Sequence, residues 1–138
     1  MASDNLNTIM IAASGMRAQS QRIQVIAQNL ANSESTAPGP GQDPYRRQIP
    51  TFQNELDREL GVRRVRMGEI IEDQGAFGSR FDPNHPAADE EGYIQTPNVN
   101  SLIEMMDMRQ AQRSYEANLN MISTARSMMM RTLDLLRA

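Results

Sequence analysis

The 138-residue chain has no cysteine and no tryptophan, and its 14 basic residues are all arginine. The lack of Cys excludes disulfides, Cys-type zinc sites and a thiol nucleophile. Aromatic residues make up only 4% and there is a single histidine, His85. No stretch approaches the roughly 18 continuous apolar residues of a membrane span; the longest, Ile9 to Ala13, has five. No base precedes Arg17, so the basic start of a secretory signal is missing. These absences predict neither a cleaved secretion signal nor direct membrane insertion. A net charge of -3 also argues against a general nucleic-acid binder.

Proline and glycine are unevenly spread. All seven prolines lie between Pro38 and Pro97. Residues 1–36 hold one glycine and no proline, and residues 98–138 hold neither. Two long helices therefore flank a broken-up middle. The expected divisions are an N-terminal helix with its connecting loop (1–36), a small β-rich insert (37–97) and a C-terminal helix (98–138).

Both ends carry a seven-residue rhythm. Ala2, Leu6, Ile9, Ala13, Met16, Ser20, Ile23, Ala27 and Leu30 follow alternating steps of four and three. Met105, Met108, Gln112, Tyr115, Leu119, Ile122, Arg126, Met129, Leu133 and Leu136 continue the pattern in the second half. Such a/d seams predict coiled-coil-like packing. Gly15 sits beside the first seam although glycine costs a helix about 1 kcal/mol relative to alanine, which predicts a close approach by another backbone. Asn100 or Ser101 caps the second helix, with Glu104 in its first turn. At about 1.5 Å per residue the helices would span ~42 and ~54 Å. So small an insert does not cover both, and neighbouring subunits are expected to complete the packing. Taken alone, the seams fit equally a hairpin closed within one chain and a polymer.

In the insert, Thr51 to Leu60 reads as one or two helical turns. Val65, Met67, Glu69 and Ile71 alternate as in a strand, with Arg64 and Arg66 opposite. Phe77 to Phe81 and Tyr93 to Thr96 read as short strands around a polar loop. His85, among Asp82, Asp89, Glu90 and Glu91, reads as a turn residue rather than a metal ligand or general base. Arg63, Arg64 and Arg66 are followed at once by acids and read as a solvated or subunit-contacting strand face. The Asp89–Glu91 run reads either as a solvated loop or as a partner for Arg46 and Arg47 of a neighbour. Met128, Met129 and Met130 point in different directions on a helix and read as packing residues rather than a copper site. Nothing assembles a nucleophile, base and oxyanion site, so no enzymatic activity, cofactor or metal is expected.

Several motifs are more specific. Near the start stand Ala12-Ala13-Ser14-Gly15-Met16, Arg22-Ile23 and Asn29-Leu30-Ala31-Asn32. Near the end stand Pro97-Asn98-Val99-Asn100, Glu104-Met105 and Arg113-Ser114-Tyr115-Glu116-Ala117-Asn118. Between them lie Pro44-Tyr45-Arg46-Arg47, Asp82-Pro83-Asn84-His85-Pro86 and Glu91-Gly92-Tyr93. Together they resemble the bacterial flagellar axial proteins, and within them the proximal rod proteins of the basal body. The Asn32-Ser33-Glu34-Ser35-Thr36 spacing departs from the wider family, which runs more directly from Ala-Asn to Thr. The motif residues carried over are Asn29, Ala31, Asn32, Asn98, Asn100, Tyr115 and Asn118.

The resemblance implies a non-enzymatic structural subunit of the rod. It implies export by the flagellar type III apparatus without a cleaved signal, and polymerisation in the periplasm with copies of itself and other rod proteins. The two helices would then pair as an antiparallel coiled-coil-like core, and the rod would carry motor torque to the hook and filament. The subunit-packing residues would be Leu6, Ile9, Ala13, Gly15, Met16, Ile23, Ala27 and Leu30 on the first seam. On the second they would be Met105, Met108, Tyr115, Leu119, Ile122, Met129, Leu133 and Leu136. A small coiled-coil adaptor or chaperone-like protein is the alternative reading.

Overall fold

A computed structural model describes residues Ala2–Arg137, with side chains from Asp4 onward. Met1 and Ala138, the outer bounds of the first and third segments, and the side chain of the first seam position, Ala2, lie outside the description. The element order is α1 (Ala2–Ala31), β1 (Gln48–Asp57), β2 (Val62–Glu72), β3 (Gly78–Phe81), β4 (Tyr93–Thr96) and α2 (Ser101–Arg137). The fold is mainly α with a small β insert, as the distribution of proline and glycine predicts.

Local chemistry sets the helix ends. The last carbonyls of α1 need partners outside the helix. The Asn32 side-chain amide donates to Gln28 O at 2.9 Å, and the Ser33 hydroxyl donates to Leu30 O at 2.8 Å. Ser35 does the same for Asn32 O. The unusual Asn-Ser-Glu-Ser run is thus the C-terminal cap of α1. Asn100 caps α2: its Oδ1 accepts from Leu102 N at 3.1 Å and Ile103 N at 3.3 Å. Glu104 does not reach back to close a capping box. It is buried and turns inward instead.

One prediction is corrected. Thr51 to Leu60 is not helical; Gln48–Asp57 is strand β1, paired with β2. The segment TFQNELDREL has helix-compatible residues, but its backbone is satisfied across the strand pair. Thr51 Oγ1 also donates to Glu69 O at 2.6 Å. The turn between the strands needs a left-handed residue, and Gly61 supplies it at φ 65°. β3 and β4 pair antiparallel with Gly78 opposite Thr96 and Phe81 opposite Tyr93.

The chain folds as two compact units, and both helices and the β1–β2 hairpin contribute to each. The first contains the chain up to Ile23, Thr51–Glu69 and the chain from Arg109 onward. Its buried side chains are small: Ala12, Ala18, Ala111 and Ala125. The second contains Gln24–Pro50 and Ile70–Met108. Its core combines Val25, Ile26, Ala37, Ala87 and Ile94 with two polar residues, Asn29 and Glu104.

Candidate functional site

The second unit is organised around Asn29, which is only 1% exposed. Its amide makes four hydrogen bonds, the full capacity of the group. Nδ2 donates to Gln48 O at 2.8 Å and to Glu104 Oε2 at 3.0 Å. Oδ1 accepts from Gln48 N at 2.9 Å and from the Tyr45 hydroxyl at 2.8 Å. The side chain thereby acts as a strand partner for the first residue of β1 and ties α1 to it.

Glu104, also 1% exposed, is the second centre. Its Oε1 accepts from Arg47 Nε at 2.5 Å. A lone buried carboxylate is costly, and a charge partner with good hydrogen bonds offsets that cost. Arg47 also lies near two further carboxylates, Asp107 at 3.6 Å and Asp73 at 3.7 Å. Burial, the largest influence, pulls the Arg47 pKa down. The Glu104 hydrogen bond and the charges of Glu104, Asp73 and Asp107 together outweigh it, and the net shift is upward. The Tyr45 hydroxyl is held above the usual tyrosine value by burial first, then by the negative charges of Glu104 and Glu72.

Asn98 completes the cluster. Its Oδ1 accepts from Arg47 N at 2.8 Å, and its Nδ2 donates to Asp73 O at 3.0 Å. Asp73 N in turn donates to Arg47 O at 2.8 Å. Three motif asparagines therefore have distinct structural tasks: Asn29 at the end of α1, Asn98 before α2 and Asn100 as its cap. Sequence reasoning named them and quoted Tyr45 and Arg47 within a motif, but did not foresee that these two join Asn29, Glu104 and Asp73 in one cluster. The available signal was the polar pair Asn29 and Glu104 on otherwise apolar helix stretches.

In the first unit, Gly15 faces Asn118. A Cβ on Gly15 would lie 2.9 Å from Asn118 Oδ1 and 3.0 Å from Nδ2. The close approach expected at Gly15 is real, but it is made by a side chain of the same chain and not by a backbone. Asn118 Nδ2 donates to Ser114 O at 2.8 Å, which fixes the amide over the glycine. Ser14 Oγ accepts from Val65 N at 3.3 Å. The strand arginines meet acids across the hairpin: Arg64 pairs with Asp57, and Arg66 lies 3.8 Å from Glu55.

The seam residues lie differently. Leu6, Ala27, Met105, Leu119, Leu133 and Leu136 are exposed. Ile9, Ala13, Met16, Ile23 and Leu30 on α1, with Met108, Tyr115, Ile122 and Met129 on α2, are half-buried. Gly15 and Asn118 are half-buried too, and Ala31 is exposed. Burial follows the row one residue earlier, through Ala12, Ile26 and Asn29 on α1 and Glu104, Ala111 and Ala125 on α2. One residue is about 100° of helix rotation. The exposed seam positions are thus turned away from the chain's own interior, while the others flank the buried row.

The insert residues are engaged locally. His85 Nδ1 accepts from Ala87 N at 3.1 Å, and Nε2 lies 3.4 Å from Thr36 Oγ1. Asp89 Oδ1 accepts from Glu91 N and Tyr93 N. The Arg46 guanidinium stacks 4.2 Å from the Phe77 ring centroid. Arg46 and Arg47 thus already have partners within their own chain.

The arrangement fixes helices to strands. A family profile, "Flagellar basal body rod FlgEFG protein C-terminal", matches residues 90–135. The flagellar basal-body rod protein FlgC of Agrobacterium fabrum is 49% identical over 128 residues, covering 93% of this chain and 92% of the relative. The chain belongs to the FlgC family of flagellar basal-body rod proteins. FlgC of Escherichia coli O6:H1 is 40% identical over 94% of the chain and 96% of its own length. FlgC of Borreliella burgdorferi is 36% identical over 95% and 97%. The chain is thus a structural rod subunit of the flagellar basal body, and its function is in motility. The adaptor reading is not favoured. In this rod subunit, Asn29 and Glu104 form an internal latch, and the exposed helix rows form a separate, outward-facing feature.

Proposed function

We propose that this subunit builds the proximal rod by laying its exposed apolar helix rows against neighbouring subunits. The single observation that carries the reading is the division of each helix. The buried positions of the inward row hold alanine, asparagine, glutamate and the single large apolar residue Ile26, while Leu6, Leu119, Leu133 and Leu136 stand exposed beside it. Exposed leucines repeated at helical spacing mark an interaction surface. A head-to-tail interface that does not close on itself generates a helical rod.

Antiparallel pairing of α1 with α2 forms the coiled-coil-like core of each subunit. Each unit by itself brings the two helices together, at Gly15 and Asn118 in the first and at Asn29 and Glu104 in the second. Small residues let the helices approach closely. Neighbouring copies and other rod proteins then cover the seams, and the insert faces outward. The segments 1–36, 37–97 and 98–138 act as axial helix, outer insert and axial helix. The role is mechanical and non-enzymatic: many interlocked helix contacts carry motor torque to the hook and filament. The subunit reaches the periplasm through the type III export apparatus without a cleaved signal. A chain without disulfides suits passage in an unfolded state.

The test is Leu133→Asp together with Leu136→Asp, both at exposed positions. The purified variant should melt with the wild-type chain, and cells carrying it should lack complete rods and fail to swim. Normal rods and swimming would refute the reading.

A further inference from the structure

We infer that the exposed methionines of α2 are an oxidation site that controls assembly without disturbing the fold. The inference rests on the proposed use of this helix in subunit packing. Met105, Met106, Met121, Met128 and Met130 are between 49% and 64% exposed. The buried side chains of α2 are Glu104, Ala111 and Ala125, and none is methionine. An oxygen added to the exposed sulfurs therefore enters no packed interior of the chain. It enters the exposed surface of the helix, which includes the row laid against a neighbour.

The reagent class is a peroxide. A thioether lone pair attacks one peroxide oxygen, an S–O bond forms and the O–O bond breaks. Sulfur loses two electrons and becomes a sulfoxide, while the peroxide is reduced to water. The product is polar where the thioether was apolar, and it disrupts methionine-rich interfaces. Met105 stands in the same row as Leu119 and Leu133, so its sulfoxide would carry a polar oxygen into the subunit contact, where an unpaired polar group is penalised. The other four are spread round the helix and would make its surface more polar. The same chain supplies an internal comparison, because Met10, Met16, Met67, Met108 and Met129 are half-buried.

Two measurements test the inference. The purified full-length chain is titrated with hydrogen peroxide, and each methionine is followed by peptide mass spectrometry. The five exposed residues should oxidise roughly threefold or more faster than the half-buried five, in line with their access, while the helical melt stays unchanged. Equal rates, or a melt that collapses as the exposed five oxidise, would overturn the inference. In cells lacking the native copy, the five exposed methionines are changed together, Met→Gln as a sulfoxide-like polar replacement or Met→Leu as an inert one. Loss of rods with Gln and retention with Leu is the expected result, with both purified chains melting like the wild type. Normal rods with Gln, or loss with Leu, would overturn it. The Leu133→Asp, Leu136→Asp variant separates the two ideas. If it blocks assembly and the Gln variant does not, only the oxidation site fails; if neither blocks assembly, the packing surface itself is refuted.

Discussion

Asn29→Asp exchanges one amide nitrogen for an oxygen, and the latch geometry sets its cost. In the wild type, Nδ2 donates to Gln48 O at 2.8 Å and to Glu104 Oε2 at 3.0 Å. An aspartate has no donor there. Left ionised, it faces the Glu104 carboxylate at hydrogen-bond distance; at an effective dielectric constant near 20 that repulsion is roughly 5 kcal/mol. The nearby Arg47 guanidinium already lies within 4 Å of Glu104, Asp73 and Asp107 and has little left to offer. The cheaper route is for the new carboxyl to take a proton and donate to Glu104. Holding a group of ordinary pKa about 3.9 protonated at pH 7 costs about 4 kcal/mol. The lost donor to Gln48 O adds about 1 kcal/mol. We therefore expect a loss of about 4–5 kcal/mol at pH 7, read by urea unfolding of the helical circular dichroism signal.

The sign with pH follows from the same argument. The introduced carboxyl has a folded pKa raised above its unfolded value, so its protonated form favours the folded chain. The deficit should shrink by about 1.4 kcal/mol per pH unit as pH falls from 7 toward 4. Asn29→Ala removes these two bonds and the two that Oδ1 accepts, but adds no charge, so its deficit, measured against the wild type at each pH, should lack that slope. Combining Asn29→Asp with Glu104→Gln restores a donor opposite the new acceptor and should recover part of the loss. A deficit below about 1 kcal/mol, or one that does not change with pH, would refute the latch argument.

Two further perturbations address other contacts. Gly15→Val places side-chain atoms against the Asn118 amide and should cost about 1–3 kcal/mol by overpacking. Adding Asn118→Ala should relieve most of that cost in the same unfolding experiment, and additive losses would show that the two residues do not meet. The Tyr45 hydroxyl, raised above 10 by burial and then by Glu104 and Glu72, ionises first in the unfolded chain. Its contribution is therefore complete below pH 10 and is lost as pH rises through the folded value. Tyr45→Phe should remove from an ultraviolet titration a phenolate that ionises above the usual tyrosine value and flatten that part of the alkaline stability profile.

The ends of both helices were legible because their determinants are local: proline is absent from both segments and Asn100 is a recognisable cap. β2 was legible from its alternation. β1 was not, because a helix-compatible stretch became a strand through pairing with residues beyond the turn. The seams were legible as periodic rows, but periodicity does not say which row faces inward. Here the small residues one position earlier take that place, because Ala12, Ala111 and Ala125 permit the approach that large side chains prevent. Asn29 stood out as a motif residue, and Glu104 as a motif residue in the first turn of α2. Their bonds join positions distant in sequence, which spacing cannot reveal. Tyr45 and Arg47 lie in a stretch with no periodic signal and acquire their roles only where the chain brings them against α1 and α2.

The most direct measurement of the central claim is photo-crosslinking from within the assembled basal body. A photo-reactive side chain is placed at Leu133 or Leu136, both exposed on α2, and native rods are irradiated. Covalent products joining this chain to a second rod subunit are the predicted result at both positions. Rods that assemble but give no product between subunits would contradict the claim that these rows are the surfaces on which the rod is built.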